Sequence, residues 1–236
     1  ALSSAASDVY KRQEYLRREL KRVVPEAGFF GEEETSHDID GKNAWFIVDP
    51  IDGTANFVRR LHHSAVSVGL YADGRMEYGA VYNPFYDELF TARRGEGAFL
   101  NGAPIHVNSV PLAESLALFG SAIYDRPTVP ATVRFMAELF PRTMDFRRGG
   151  SAAMDLCYLA AGRVDVFFEC SLSPWDYAAA SLIAQEAGAV VTALSGLPLH
   201  FDRSCSVAAG NPVNYPELME IASRISAEPD MKGRIR

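Results

Sequence analysis

The sequence predicts an α+β fold, and two patterns along the chain support that class. The first half places one amphipathic helix ahead of several short apolar strands separated by turn residues, which is typical of an antiparallel meander. The second half alternates helices with single strands. With 236 residues, of which 48% are hydrophobic, the chain can bury a sizeable core.

In the first half, apolar residues recur at helical spacing over residues 14–24, and Pro25 ends this predicted helix. A turn is predicted at residues 38–41, before a strand at residues 45–48. A hairpin turn follows at residues 73–74. The strands predicted around and after that turn lie at residues 65–71, 77–82, 88–92 and 97–100.

In the second half, proline-containing stretches at residues 110–111 and 126–130 predict a boundary between two lobes. Pro174 and Gly188 frame one predicted helix, because proline favours the first helical turn and glycine favours the end. The predicted lobes are residues 14–125 and 126–236. Helices are predicted at residues 151–161, 174–187 and 216–225, and strands at residues 164–168, 190–192 and 206–209.

The segment before Glu14 does not fit the helical pattern that begins there. Residues 8–13 read Asp-Val-Tyr-Lys-Arg-Gln and resemble the in-frame translation of a transposon end used in sequencing libraries. We therefore expect residues 1–13 to be a non-native segment that stands in place of the natural N-terminal residues.

The composition argues against several classes of function. A net charge of -7 disfavours sequence-independent binding of nucleic acid, which needs a basic surface. Three cysteines without paired spacing predict neither disulfides nor a zinc site and are typical of a reducing, cytoplasmic compartment. No apolar run approaches the roughly 20 residues that span a bilayer, and no signal peptide is recognisable, so we expect no membrane partner.

The most informative segment is residues 45–57, where an apolar strand runs into two carboxylates, Asp49 and Asp52. Carboxylates held this close repel each other unless a cation lies between them, and hard divalent cations prefer oxygen ligands. Thr54 and Asn56 add a hydroxyl and an amide at the predicted start of a helix. The alternative is that the aspartates only cap that helix, although a cap uses one acid. The segment predicts a metal site.

Three further acidic positions are candidates for the same site. The glutamate run at residues 32–34 is typical of a solvated surface, but its place just before the aspartate turn favours one inward-pointing glutamate. Asp176 begins a predicted helix, where it either caps that helix or supplies a carboxylate from the second lobe. Glu169 ends a predicted strand and is either a rim residue or a ligand for a hydroxyl.

Residues 149–153, Gly-Gly-Ser-Ala-Ala, begin another predicted helix and offer free backbone N–H groups to an anion. Many helices begin this way and bind nothing. The histidines lack metal-ligand spacing, and we interpret the adjacent pair His62 and His63 as structural.

Three segments, at residues 31–33, 49–57 and 175–188, resemble in order the signatures of the inositol monophosphatase family. Residues 150–153 and 162–165 resemble its bacterial members most. The resemblance extends from about Glu14 to the end of the chain. It implies a layered α-β-α-β-α sandwich of the inositol monophosphatase and fructose-1,6-bisphosphatase type. It also implies a magnesium-dependent, lithium-sensitive phosphatase, commonly a homodimer.

The resemblance implies a role for each matching residue. It makes Glu32, Thr54 and Asp52 catalytic, with Glu32 and Thr54 together activating the attacking water. The implied ligands of two or three Mg²⁺ ions are Glu32, Asp49, the backbone carbonyl of Ile51, Asp52 and Asp176. The implied substrate contacts are Gly53, Thr54, Gly150, Ser151, Ala152, Glu169 and Asp176.

The implied reaction is hydrolysis of a small polyol phosphate monoester, by default inositol 1-phosphate, by a metal-activated water. Fructose-1,6-bisphosphate, histidinol phosphate and adenosine 3',5'-bisphosphate are alternative substrates within the same fold. A non-catalytic regulatory protein that binds a metal or an anion is the alternative of another class. Two departures from the family pattern concern residues 1–13, where a further helix and a mobile loop are expected, and Ala189, where a glycine is usual. The first departure predicts poor folding or slow turnover.

Overall fold

The structure is a computed structural model that describes residues 2–32, 43–121, 125–231 and 233–235, with the backbone alone for residues 2–8. The predicted turn at residues 38–41 lies outside the described residues, as do Glu33 and Glu34 of the glutamate run. Two β-sheets, with helices between and around them, make up the described part of the chain.

The first sheet contains seven strands that neighbour one another in chain order. They are β1 (Gly28–Gly31), β2 (Ala44–Asp52), β3 (Ala65–Ala72), β4 (Arg75–Asn83), β5 (Glu88–Arg93), β6 (Ala98–Leu100) and β7 (Ala103–Ile105). β1 and β2 run parallel and every later pair is antiparallel, which confirms the predicted meander. β1 was not predicted, because four residues with glycine at both ends carry little periodicity.

The second sheet contains five strands in the order β11-β12-β10-β8-β9. They are β8 (Leu116–Phe119), β9 (Asp145–Arg147), β10 (Val166–Leu172), β11 (Val190–Thr192) and β12 (Cys205–Gly210). Glu169 was predicted to end this strand. That prediction is wrong, because β10 continues to Leu172 and Glu169 lies within it. β8 pairs in this sheet although it precedes residue 125, where the lobe boundary was predicted. The division into lobes stays a prediction.

The helices are α1 (Leu2–Val23), α2 (Thr54–Arg59), α3 (Val129–Leu139), α4 (Ala152–Ala160), α5 (Pro174–Glu186) and α6 (Tyr215–Ser226). The predicted start of α1 at Glu14 is wrong, because Val9 and Gln13 are buried and extend its inner face. The non-native origin of residues 1–13 stays a prediction. α3 was not predicted, because Pro130 was interpreted as a boundary; it lies in the first turn, where a helix tolerates proline.

Three apolar cores hold these elements in layers. α1 covers one face of the first sheet. α4 and α5 lie between the two sheets in the largest core, and α3 and α6 cover the far face of the second sheet. The order helix, sheet, helix, sheet, helix confirms the predicted α-β-α-β-α sandwich. None of the described helices has the length and apolar character needed to cross a membrane.

The contact between α5 and the first sheet is close because both surfaces carry small residues. Gly69 and Gly79 are register partners on β3 and β4. A β-carbon added to Gly79 would lie 2.5 Å from the backbone oxygen of Ala179 on α5. This close contact fixes the start of α5, and with it Asp176, relative to the end of β2.

Candidate active site

A cavity of about 640 Å³ lies where the end of β2, the start of α4 and the start of α5 meet. Every residue that the resemblance assigned to the site lines it: Glu32, Asp49, Ile51, Asp52, Gly53, Thr54, Gly150, Ser151, Ala152, Glu169 and Asp176. These residues are far apart in the chain, and the layered fold brings them together.

β2 continues through Asp52, and the prediction that it ends at residue 48 is wrong. In a regular strand, side chains three residues apart point to opposite faces. The register between β2 and β3 shifts between Asp49 and Asp52, and this irregularity lets both carboxylates face one cavity. Gly53 then adopts a left-handed conformation (φ 79°), and α2 begins at Thr54 as predicted.

Asp49, Asp52 and Asp176 bring carboxylate oxygens within 4.8 Å of one another. The Oδ1 atom of Asp49 accepts a hydrogen bond from the backbone N–H of Ile51 at 2.8 Å. The Oδ2 atom of Asp176 accepts one from the backbone N–H of Ser173 at 2.8 Å. Each of these carboxylates keeps its second oxygen free of hydrogen bonds from the described residues.

Asp52 is held by two groups at the start of α4. Its Oδ2 atom accepts hydrogen bonds from the Ser151 hydroxyl at 2.5 Å and from the backbone N–H of Ala153 at 2.8 Å. All three groups are buried. The first sheet supplies the carboxylate, and the start of α4 orients it. Because both hydrogen bonds go to Oδ2, the Oδ1 atom of Asp52 is available to bind a cation.

Burial makes the charged form of these carboxylates costly. It is the main cause that raises the pKa of Asp49 well above its ordinary value, and the charge of Glu32 raises it further. Burial raises the pKa of Asp52 to about 6, although the hydrogen bonds that it accepts oppose this rise. The pKa of Asp176 is also well above its ordinary value, through burial and the charge of Asp52. A bound cation would reverse these shifts.

Glu32 and Thr54 both line the cavity beside the aspartates. Glu32 follows β1, is exposed, and lines the cavity. The Thr54 hydroxyl donates a hydrogen bond to the backbone oxygen of Ile51 at 3.0 Å. The pairing of Thr54 with Glu32 stays a prediction.

Glu169, Gly150 and Ser151, which the resemblance assigned to the substrate, also line the cavity. Glu169 is buried in β10 and lies against Gly120, where a β-carbon would come within 1.7 Å of its Oε2 atom. Gly150 is left-handed (φ 84°) and leads into α4. The Ser151 side chain is buried and donates to Asp52, so its contact with a substrate stays a prediction.

Comparison with known proteins decides the family. The sequence profile described as the inositol monophosphatase family matches residues 9–227. A relative from Vibrio cholerae named Nus factor SuhB is 41% identical over 202 residues, which cover 85% of this chain and 75% of the relative. The chain belongs to the inositol monophosphatase family. The family match begins within residues 1–13, the segment expected to be non-native.

Solved structures of inositol monophosphatases share the fold. The structure of the inositol monophosphatase from Anabaena superposes with a TM-score of 0.86 at 32% identity, over 95% of this chain and 92% of that chain. The inositol monophosphate-bound inositol monophosphatase II of Staphylococcus aureus superposes with a TM-score of 0.83 at 29% identity, over 91% of this chain and 83% of that chain.

Several residues that line the cavity were not predicted from the sequence. Among the described residues, Arg148 is the one basic side chain there, and its Nε atom donates to the Ser121 hydroxyl at 3.0 Å. Its position directly before Gly149 was the available signal. Asp155 lines the cavity from α4, and Gly120 lies beside Glu169. No local pattern marks these two residues, because their partners lie in other elements.

Glu186, in the segment that resembles the family signature at residues 175–188, has a structural role. Its Oε1 and Oε2 atoms accept hydrogen bonds from the backbone N–H groups of Gly95 at 2.9 Å and Gly97 at 3.0 Å. Glu186 therefore ties the end of α5 to the turn between β5 and β6, away from the cavity.

Proposed function

We propose that this chain is a magnesium-dependent phosphatase that hydrolyses a small polyol phosphate monoester, with inositol 1-phosphate as its substrate. The observation that carries the proposal is the convergence of Asp49, Asp52 and Asp176 within 4.8 Å in one cavity. Membership of the inositol monophosphatase family supports the same activity.

The donor set of the cavity fits Mg²⁺. It offers carboxylate and carbonyl oxygens, which this hard cation prefers. Burial is the main cause that raises the pKa values of these aspartates, and neighbouring carboxylates add to the rise, so a bound cation would offset both effects. We propose that Asp49, Asp52, Asp176, Glu32 and the carbonyl of Ile51 hold two or three ions.

When bound, Mg²⁺ supplies positive charge to the phosphate and lowers the pKa of a bound water. Glu32 accepts a proton from the attacking water. The Thr54 hydroxyl donates a hydrogen bond to the backbone oxygen of Ile51, so the lone pairs of the Thr54 oxygen can accept a hydrogen bond from that water. The water oxygen bonds to phosphorus as the bond from phosphorus to the polyol oxygen breaks, and the polyol oxygen leaves as an alkoxide that takes up a proton from solvent.

The phosphate and the polyol are held by cavity residues from the start of α2, the start of α4 and β10. Backbone N–H groups of Gly53 and Thr54, at the start of α2, hold the phosphate. Glu169 accepts a hydrogen bond from a polyol hydroxyl, and Gly150 and Ala152 contact the ring. Glu169 lines the cavity from β10 and its carboxylate oxygens can accept a hydrogen bond, which supports this role.

Inositol 1-phosphate is preferred over the alternatives because the Staphylococcus aureus neighbour binds inositol monophosphate. Phosphate release with Mg²⁺ from inositol 1-phosphate, fructose-1,6-bisphosphate, histidinol phosphate and adenosine 3',5'-bisphosphate tests this order. We expect the largest kcat/KM for inositol 1-phosphate. If another of these compounds gives a larger kcat/KM, that compound is the substrate.

Two substitutions test the activity itself. Asp52→Asn and Asp176→Asn each replace a carboxylate with an amide of nearly the same shape, so turnover should fall below detection while the fold is retained. Asp73→Asn is the matched control, because Asp73 is an exposed turn residue with φ 49° and asparagine tolerates that conformation. Wild-type turnover in either site variant would refute the proposal.

A non-catalytic regulatory protein is the second candidate, and the name Nus factor carried by the relatives favours it. This candidate predicts that Mg²⁺ binds without phosphate release from any of the four compounds. The homodimer and the inhibition by lithium implied by the resemblance stay predictions, which sedimentation and inhibition assays would test.

A further inference from the structure

Asp155 is a buried carboxylate to which the proposed reaction assigns no role. Its side chain is 2% exposed, and its Oδ1 atom lies 2.9 Å from Nε2 of His63. It also accepts a hydrogen bond from the backbone N–H of Gly149. His63 lies in the loop between α2 and β3, so the pair joins the first sheet to the helix between the sheets.

Asn56 makes a second connection between the same two segments. Its Nδ2 atom donates to the backbone oxygen of His63 at 2.7 Å and to the backbone oxygen of Gly149 at 2.9 Å. Asn56 is itself buried. Two sets of hydrogen bonds therefore hold His63 against Gly149, although the two residues are far apart in the chain.

The packing at this junction is close. A β-carbon at Gly149 would lie 1.8 Å from Oδ1 of Asp155 and 2.7 Å from Nε2 of His63. A β-carbon at Gly53 would lie 3.0 Å from the backbone oxygen of His63 and 3.0 Å from the β-carbon of Ser151. The loop at residues 149–151 is thus seated directly on the turn that follows Asp52.

That loop in turn orients Asp52. It ends in Ser151, whose hydroxyl donates to Oδ2 of Asp52, and it sets the start of α4, where Ala153 donates to the same oxygen. A displacement of the loop would rotate the Asp52 carboxylate and move its free oxygen away from Asp49 and Asp176.

We infer that His63 and Asp155 form a positioning pair that holds the loop at residues 149–151 and, through it, the metal-binding orientation of Asp52. The inference rests on the proposed function only in taking Asp52 as a Mg²⁺ ligand. It assigns His63 a role beyond the structural one that the sequence suggested. Neither residue is among the proposed ligands of the metal or the substrate, and the pair acts through Ser151.

Three variants isolate the contact between His63 and Asp155. In His63→Asn the amide is too short to reach Asp155, whereas in His63→Gln the amide nitrogen lies near the place of Nε2. His62→Asn is the matched control: the neighbouring histidine stacks on Phe85 and has φ 60°, a conformation that asparagine tolerates.

The readout is a Mg²⁺ titration followed by the fluorescence of Trp175, which adjoins Asp176. The experiment is done in a Trp45→Phe background, because Trp45 and Trp175 are the two tryptophans of the chain. We expect His63→Asn to weaken Mg²⁺ binding about 10- to 100-fold, as substitutions behind metal ligands generally do. His63→Gln and His62→Asn should stay within about threefold of the parent protein.

Turnover of inositol 1-phosphate at saturating Mg²⁺ supplies the second readout. His63→Asn should lower kcat more than it raises KM, because the loop positions the metal site more than it binds the polyol. Should His63→Asn not fold, Asp155→Ala, which removes the oxygen that His63 contacts, carries the same test.

The inference is overturned if His63→Asn binds Mg²⁺ like the parent protein, or if His63→Gln is as weak as His63→Asn. The titration does not depend on turnover. A parent protein that binds Mg²⁺ but releases no phosphate would therefore refute the proposed function, while the titration would still decide the role of His63.

Discussion

At the scale of single residues, hydrogen bonds determine which oxygen of each site carboxylate is left for a cation. Asp49 and Asp52 could be recognised from the sequence, because both lie in one short segment that pairs acids with turn residues. The support of Asp52 by Ser151 could not, because that contact joins residues 99 positions apart. Sequence patterns identify the acids themselves, and the fold determines what orients them.

Gly120 and Glu169 provide a prediction at this scale. Gly120→Ala would place a β-carbon 1.7 Å from Oε2 of Glu169 and so displace the carboxylate. We expect the KM for inositol 1-phosphate to rise about tenfold, the equivalent of one lost hydrogen bond to a charged group. Steady-state kinetics would measure it.

The double variant supplies the control. Glu169→Ala removes the carboxylate, so Gly120→Ala in that background should have little further effect on KM. If Gly120→Ala raises the KM by the same factor with and without Glu169→Ala, Gly120 does not act through Glu169.

At the scale of elements, periodicity predicted the long and regular parts of the fold. The strands from Ala65–Ala72 to Ala98–Leu100 and the helices α4, α5 and α6 lie close to their predicted ranges. β1, β8 and β9 are too short to show a period of their own, and tertiary pairing stabilises them. The prolines at residues 127 and 130 are compatible with a helix start and with a lobe boundary. The sequence alone does not distinguish these two interpretations, and the structure places Pro130 in the first turn of α3.

Gly79 and Gly69 provide a prediction at this scale. Gly79→Ala would bring a β-carbon to 2.5 Å from the backbone oxygen of Ala179, which cannot move without shifting α5. At Gly69 the closest atom is the flexible end of Met76, at 2.6 Å. Urea unfolding should show a loss of about 1–3 kcal/mol in the free energy of unfolding for Gly79→Ala and a smaller loss for Gly69→Ala. Equal losses would contradict this account of how α5 is seated.

At the scale of the whole molecule, the site exists because two distant parts of the chain meet. Asp49 and Asp52 come from a strand of the first sheet, and Asp176 comes from a helix between the sheets. The order of strands and the stacking of layers depend on non-local pairing, which periodicity does not encode. The family resemblance supplied that architecture, and the structure confirms it.

The buried acids predict how the stability of the whole protein depends on pH and metal. The folded pKa of Asp52 is raised to about 6 from 3.8, so the folded state binds its proton more tightly than the unfolded state does. Without metal, stability should therefore fall as pH rises through that range. We expect a lower Tm in EDTA at about pH 7.5 than at about pH 5.5.

Mg²⁺ should reverse this loss at the higher pH, because it replaces the proton as the partner of the carboxylates. In EDTA, the Tm of Asp52→Asn should fall less between about pH 5.5 and about pH 7.5 than the Tm of the wild-type protein does. A metal-free Tm that rises between the two pH values would contradict the account. Differential scanning calorimetry would make the measurement.

The central claim is that Asp49, Asp52 and Asp176 form one divalent metal centre, and an anomalous difference map tests it most directly. Crystals grown with Mn²⁺ should show a peak at about 2 Å from carboxylate oxygens of these residues. The peak should be lost in Asp176→Asn and retained in Asp73→Asn. The absence of a peak at the three carboxylates in the wild-type protein, or a peak elsewhere that survives Asp176→Asn, would contradict the account.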